Sequence, residues 1–134
     1  MIGLIPAELS ETYWPVVAPL IEKVVAEYDP GYATEDLLND VLKGRKQLWV
    51  AATDHIACAV ITEINNYPQY KVLHAPYVAG DDMEQWLPRL LQTLEKFGRA
   101  HGCKYVTGCG RRGWVKALSS YGWSEGFTIV RKEL

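Results

Sequence analysis

The sequence predicts one α+β domain built on a mixed β-sheet, with its elements in the order β-α-α-β-β-β-α-β-α-β. Apolar residues recur at helical spacing in several stretches, and runs rich in β-branched residues lie between those stretches. Three consecutive extended runs predict an antiparallel meander, and an extended run on each side of a long helix predicts a βαβ crossover. The length of 134 residues fits a single domain that spans residues 1–134.

The first third of the chain is predicted to form a short strand or arm, residues 1–5, followed by two helices. Thr12 is the predicted N-cap of the first helix, and Pro19 predicts either a kink or a later start. The apolar stripe of this helix is Trp14, Val17, Ile21, Val24, Val25 and Tyr28. The run Asp29-Pro30-Gly31 is its predicted stop. Thr34 and Gly44 are the predicted N-cap and C-cap of the second helix.

The middle of the chain changes from helical to extended character. Residues 47–53, 56–64 and 70–78 are the predicted strands of the meander, and residues 65–68 form a predicted hairpin loop. Because proline lacks a backbone N–H, Pro76 requires an edge position, a bulge or the end of strand pairing.

A long helix follows the meander. Pro88 is tolerated only in a first turn, so the regular helix is predicted to start at Gln85 or Trp86. Gly102 ends it. The remaining predicted elements are a strand at 105–107, a helix at 114–121 closed by Gly122, and a last strand at 127–132, where apolar and polar residues alternate.

Composition excludes several functional classes. Fourteen basic and sixteen acidic residues give a net charge of −2, which provides no global field for nucleic-acid binding. No apolar run is long enough to span a membrane, and the N-terminus does not resemble a signal peptide. Cys58, Cys103 and Cys109 form no C-x-x-C motif, so neither a disulfide framework nor a metal site is expected. These features predict a protein of the cytoplasm.

The chain resembles a known fold along nearly its whole length. The stretches that carry the resemblance are Gln47-Leu48-Trp49-Val50-Ala51, Thr62-Glu63-Ile64, Tyr67-Pro68, Gly80 with Trp86, Ala100-His101-Gly102-Cys103 and Gly110-Arg111-Arg112-Gly113-Trp114. In this order and spacing the sequence resembles the GCN5-related N-acetyltransferases, and more closely a divergent branch encoded in tailed phages and prophages. The resemblance implies acetyl-CoA as cofactor, an unidentified amine as acceptor, and a location in the host cytoplasm or the virion.

The resemblance implies a cofactor site at the turn from the fourth strand into the long helix. The family's usual pattern there is Gln or Arg, two residues, Gly, one residue, then Gly or Ala. The corresponding residues here, and the implied cofactor residues, are Val78, Ala79, Gly80, Asp82 and Met83. Gly80 would let the backbone approach a phosphate. The Arg and the second small residue are absent. In the alternative interpretation, Asp81, Asp82 and Glu84 are an acidic helix start, each stabilising the helix by about 0.3–1 kcal/mol.

A second candidate anion site is the glycine-rich turn that contains Arg111 and Arg112. Guanidinium groups in a flexible turn beside a helix start suit the phosphates of a coenzyme or an acidic partner surface. The alternative is a strand-to-helix turn whose arginines pair with Asp81 or Asp82.

Three residues are candidates for proton transfer. Family members place a tyrosine acid four residues before a Gly-aromatic pair, a position that Leu118 occupies here. Tyr121, next to that pair, is either a displaced acid or a packing residue. Glu63 and His74 on the central strands are candidate general bases. Their alternative roles are a salt-bridge partner for Glu63 and a hydrogen-bonded sheet histidine for His74.

Three functional hypotheses follow from these residues. The first is an acetyltransferase that moves acetyl from acetyl-CoA to an amine. The second is a non-catalytic phage protein of the same fold that binds a virion or host protein, with Trp49, Tyr67 and Tyr70 as a candidate exposed patch. If helices cover both sheet faces, Trp49 is instead a core residue. The third is a small anion-binding module that uses Arg111 and Arg112.

Overall fold

The computed structural model describes residues 1–28 and 31–134, so the predicted helix stop at Asp29-Pro30 lies outside the described residues. The strands are β1 (Ile2–Ile5), β2 (Gln47–Ala52), β3 (Ile56–Asn66), β4 (Lys71–Gly80) and β5 (Cys103–Gly108). The helices are α1 (Ser10–Tyr28), α2 (Thr34–Leu42), α3 (Met83–Ala100) and α4 (Gly113–Ser119), with a short 3-10 turn before α1. No described helix is both long and apolar enough to cross a membrane.

The sheet confirms the predicted mixed architecture. Its strand order is β1-β2-β3-β4-β5. Neighbouring strands from β1 to β4 are antiparallel, and β5 is parallel to β4 because α3 crosses over between them. The three central strands form the predicted meander, although β3 and β4 each extend two residues beyond the predicted ends.

Two hydrophobic clusters form the core, one on each face of the sheet. Helices α1 and α2 cover the first face, where Val17, Ile21 and Leu37 pack against β2, β3 and β4. Helix α3 covers the second face through the stripe Trp86, Leu87, Leu90, Leu91 and Leu94. Trp49 lies in this second cluster, 3% exposed, with its ring edge-on to Phe97. The exposed-patch interpretation of Trp49 is therefore wrong.

Two helices begin earlier than their prolines predict. Helix α1 starts at Ser10, before the predicted Thr12 cap, and continues through Pro19. Val17 and Ile21 on either side of that proline are fully buried, and their packing outweighs one missing hydrogen bond. Helix α3 starts at Met83 rather than near Trp86, because that indole donates a hydrogen bond to the backbone oxygen of Asp81 and fixes the first turn.

The prediction for Pro76 is confirmed. Between β3 and β4 the register steps from Ile61 opposite Tyr77 to Glu63 opposite His74. Strand β4 therefore contains one extra residue, and the bulge accommodates a residue without an N–H. Pairing with β5 also ends at this point.

The predicted last strand is wrong. Residues 127–132 form no strand, and the side chains of Phe127, Ile129 and Val130 are 87%, 81% and 89% exposed. The chain turns at Gly122 and packs Trp123 against the α3 side of the core. The following segment has the alternation of a strand but pairs with no strand in the described part of the chain.

Candidate functional site

The central feature of the site is a fork between β4 and β5. The two strands pair from Lys71 opposite Cys103 to Ala75 opposite Gly108, whereas β4 continues to Gly80. Beyond Ala75 the side of β4 that faces away from β3 has no strand partner among the described residues. Alternate backbone N–H and C=O groups of this segment point into the gap. The fork therefore offers backbone groups to a ligand.

A cavity of about 570 Å³ lies at this fork. It is bounded by α1, the end of β4, the start of α3 and the turn into α4. Its lining residues are Leu20, Lys23, Val24, Glu27, Val78, Ala79, Gly80, Asp81, Met83, Cys109, Gly110, Arg111, Gly113, Trp114 and Ala117. The volume falls within the range of small-molecule sites, roughly 300–1,000 Å³.

Five of the predicted cofactor residues line this cavity. They are Val78, Ala79, Gly80, Met83 and Arg111. Asp82 lines a separate cavity of about 100 Å³ beside Met1 and Trp86. Arg112 does not line the larger cavity within the described structure. The larger site thus combines the strand end and the arginine turn, which sequence analysis treated as separate candidates.

Two glycines of the site are required by packing. A Cβ on Gly80 would lie 2.2 Å from the Ala57 carbonyl oxygen and 2.7 Å from the Cys58 Cα, and the φ of Gly80 is 152°. Gly80 therefore allows β4 to approach β3, which is a structural reason independent of a phosphate. A Cβ on Gly110 would lie 2.8 Å from the Trp114 indole, so this glycine lets the turn pack on α4.

The arginines of the turn pair with glutamates. Arg111 Nε lies 3.3 Å from Glu27 Oε1 across the cavity, and an Arg112 guanidinium nitrogen lies 4.0 Å from Glu125 Oε1. The expected pairing with Asp81 or Asp82 is therefore not the one observed. All four side chains are well exposed, so each ion pair contributes little to stability in water. An anion that binds the arginine more strongly can displace the glutamate.

A buried ionic cluster lies on the α1–α2 face of the sheet. Lys46 is 8% exposed, and its Nζ lies 3.4 Å from both Asp40 Oδ2 and Glu63 Oε1. The same ammonium lies 5.1 Å from the centroid of the Tyr32 ring. Burial disfavours the charged amine, but attraction by Glu63, Tyr32 and Asp40 outweighs it and raises the pKa of Lys46. Glu63 is thus a salt-bridge partner in this structure.

His74 lies opposite Glu63 in the β3–β4 register, on the edge of the ionic cluster. Its Nδ1 lies 2.8 Å from the Thr107 hydroxyl of β5. Burial lowers the pKa of His74, Lys46 lowers it further, and Glu63 opposes them. The imidazole is therefore neutral at neutral pH and has a lone pair that can accept a proton.

Two further groups at the fork hold protons firmly. Cys109 Sγ donates to the Pro76 carbonyl oxygen at 3.6 Å, and burial followed by the charge of Glu63 raises the pKa of this thiol. Burial raises the pKa of Tyr77 to about 12, and its ring meets Tyr32 edge-on at 6.4 Å. Tyr121 is 45% exposed on the turn after α4 and is not a lining residue of the cavity in the described structure.

Similarity to solved structures establishes the fold. A ribosomal-protein-alanine N-acetyltransferase from Brucella melitensis aligns with a TM-score of 0.73 at 14% identity, covering 100% of this chain and 99% of that one. An aminoglycoside N-acetyltransferase in complex with CoA aligns with a TM-score of 0.74 at 13% identity, covering 100% and 93%. A GCN5-related N-acetyltransferase from Ralstonia eutropha aligns at 0.72 and 12%, covering 99% and 97%.

The chain has the fold of the GCN5-related N-acetyltransferases. This confirms the fold that the sequence resemblance implied. No protein-family model matches the chain, and no curated protein sequence is significantly similar to it.

Sequence reasoning missed several residues of the cavity. Lys23 and Glu27 reach it from α1, where they occupy ordinary polar positions of an amphipathic helix. Cys109 is exposed at the fork and lines the cavity. Trp114 packs against the cluster on the α3 side of the sheet and also lines the cavity. The glycines around Cys109 were the available signal, because they mark a turn of irregular backbone.

Proposed function

We propose that this protein is an N-acetyltransferase that uses acetyl-CoA and an amine acceptor. The observation that carries the proposal is the cavity where β4 and β5 separate, because it joins open backbone groups to a basic turn. A neighbour with the same fold was solved in complex with CoA. The phage or prophage origin implied by the resemblance, and a place in the host cytoplasm or virion, stay predictions.

The residues of the cavity fit the parts of this cofactor. Val24, Val78, Ala79 and Ala117 provide an apolar wall, and the open edge of β4 provides hydrogen-bonding groups for an amide-containing arm. Lys23 and Arg111 provide positive charge for phosphates. When bound, the coenzyme would supply an activated acetyl thioester at the fork.

The protein's own contribution would be to bind, orient and move protons. His74 is neutral and hydrogen-bonded to Thr107, so it is suited to accept a proton from the amine. Lys46 holds Glu63 in place beside it. Cys109 lines the cavity and keeps its proton, so it would replace Tyr121 as the candidate donor to a leaving thiolate.

Calorimetry with acetyl-CoA and CoA tests this proposal. We expect a micromolar dissociation constant, a loss of at least tenfold in Ala117→Trp, which fills the cavity, and little change in Val115→Trp. Val115 is on the same helix, is 40% exposed and is not a lining residue of the cavity. Folded wild-type protein that binds neither ligand at millimolar concentration would refute the proposal.

The alternative is a non-catalytic member of the fold that binds a virion or host protein. The observation that favours it is the pairing of both arginines of the turn with glutamates, which reduces the net charge available to a coenzyme. The same calorimetry separates the two: this alternative predicts no coenzyme binding by wild type or by either variant.

A further inference from the structure

Three exposed tyrosine rings lie together where strands β4 and β5 begin. The ring centroids of Tyr67 and Tyr70 are 6.2 Å apart, and those of Tyr70 and Tyr105 are 5.2 Å apart. These three side chains, here called the tyrosine cluster, are 40–54% exposed. None of them lines the larger cavity in the described structure, so the proposed coenzyme site does not account for them.

Backbone pairing holds the tyrosine cluster together. The Tyr67 N–H donates a hydrogen bond to the Tyr70 carbonyl oxygen at 2.9 Å, which closes the hairpin between β3 and β4. Tyr70 directly precedes β4, and Tyr105 of β5 lies opposite Val72 near the start of the same strand. The hairpin and the parallel strand pair therefore bring three rings from separate positions of the chain to one place.

The position of Lys104 indicates what these rings attract. Its Nζ lies over both of the nearer rings, 5.2 Å from the centroid of Tyr70 and 5.5 Å from that of Tyr105. The two rings are inclined by 73°, so they present two walls to one cation. Lys104 is exposed and forms no ion pair with a carboxylate in the described part of the chain. The negative faces of the rings are therefore what attract this ammonium group.

A primary ammonium group is a poor ligand for aromatic walls. It is compact and strongly hydrated, and its three N–H donors need water or an acceptor. A trimethylammonium group has no N–H donor and spreads its charge over its methyl groups, so it loses less hydration on an aromatic face. It also buries apolar surface against the rings. Such a group can displace the Lys104 ammonium, which returns to water on its flexible stem.

We propose that the tyrosine cluster binds a quaternary ammonium group and that Lys104 competes with this ligand for the rings. The ligand is a trimethylammonium cation, carried by a small molecule such as choline or by a trimethylated lysine side chain. Tyr70 is the central wall, because its ring contacts the other two rings and the Lys104 ammonium. Since the site is open to solvent, the dissociation constant for the isolated cation should be roughly millimolar.

Titration of the isotope-labelled full chain with choline, followed by two-dimensional NMR, tests this site. We expect millimolar choline to shift the amide signals of residues 67–70 and 103–106. The control ligand is neohexanol, which has the shape of choline with carbon in place of nitrogen and therefore lacks the charge. It should bind at least about fivefold more weakly than choline. A short peptide with one trimethyllysine carries the same cation; tighter binding of the peptide identifies a protein as its source, and tighter binding of choline identifies a small molecule.

Four variants test the contribution of the rings and of Lys104. Tyr70→Phe keeps an aromatic wall and should retain the choline affinity within about twofold, whereas Tyr70→Leu removes that wall and should weaken binding at least about fivefold. Lys104→Ala removes the competing ammonium and should tighten choline binding by about threefold. Lys96→Ala replaces an exposed lysine on α3 and should leave the affinity unchanged.

The variants separate loss of the site from loss of folding. Tyr70 is 40% exposed and lies outside every helix and strand, so its substitution should leave the NMR signals of the rest of the chain in place. Equal binding of neohexanol and choline would show an apolar surface alone and overturn the proposal. So would a choline affinity that Tyr70→Leu does not change. The absence of any shift at tens of millimolar choline, in wild type and in Lys104→Ala, would also overturn it.

Discussion

Replacing Lys46 with methionine tests the ionic cluster beneath the fork. Its side chain is 7% exposed and forms ion pairs with Asp40 and Glu63 at 3.4 Å each. Methionine keeps most of the packing volume but leaves Glu63 without the Lys46 ammonium and Asp40 with the exposed Arg45, 3.8 Å away. Breaking a buried ion pair costs about 3–5 kcal/mol. The two carboxylate side chains are 21% and 26% exposed and regain some water, so we expect a loss near the lower limit, about 3 kcal/mol.

Urea unfolding and thermal melting measure this loss. For a chain of this size, about 3 kcal/mol corresponds to a fall in Tm of roughly 10 °C. Lys43→Met is the matched control, since Lys43 is exposed at the end of α2 and should change the free energy of unfolding by less than about 0.5 kcal/mol. Adding Glu63→Gln to Lys46→Met should restore about 1–2 kcal/mol, because it removes one of the uncompensated charges.

The reasoning would be refuted by either of two results. The first is a Lys46→Met variant that loses no more stability than Lys43→Met, which would mean that water reaches the cluster and screens it. The second is a double variant that is less stable than the single one, which would mean that Glu63 stabilises the fold through partners other than Lys46.

Three further predictions concern the fork. Glu27→Gln removes one carboxylate from the side of the cavity that holds Arg111, so it should tighten binding of the anionic CoA by up to about fivefold in calorimetry; weaker binding would contradict this. Because the pKa of His74 is lowered in the folded state, the unfolded state binds the proton more readily, and the free energy of unfolding falls as the pH drops below about 6.5. His74→Gln should reduce this dependence of the free energy of unfolding on pH, measured by urea unfolding between about pH 7 and 5. Gly80→Ala should lower the free energy of unfolding by at least about 2 kcal/mol, since its Cβ overlaps the β3 backbone, whereas Gly126→Ala should be nearly neutral; equal effects would contradict the packing argument.

Local patterns in the sequence predicted most of the helices and strands. The buried stripe of α3 follows directly from helical spacing, and the bulge at Pro76 follows from a missing N–H. The start of α3 was wrong because the hydrogen bond from Trp86 to Asp81 depends on where the indole packs. For residues 127–132, alternation indicates a strand but does not provide a partner.

The candidate site was less predictable, because it is assembled from distant segments. Val78 was chosen from the family resemblance and Arg111 from its glycine-rich turn, whereas Glu27 comes from α1 and joins the cavity only in the folded chain. The salt bridge of Lys46 with Glu63 also requires the β2–β3 pairing to bring them together. Residue type indicated which groups could carry charge or protons, and the sheet register determined which of them meet.

The extra residue in β4 shifts the alternation of side chains between the two faces of the sheet. Leu73 and Ala75 face α3, so His74 faces the opposite side; three positions later Tyr77 faces that same opposite side, which an unbroken strand would not allow. His74 and Tyr77 therefore lie on the same face of the sheet because of the bulge at Pro76. Deletion of a single residue between His74 and Tyr77 would remove the bulge and leave the two residues two positions apart on a regular strand, still on one face. Straightening the bulge without a deletion would instead place the two on opposite sides of the sheet. The face on which Tyr77 lies is therefore set by the backbone conformation of the bulge beside Pro76 and not by the number of residues alone.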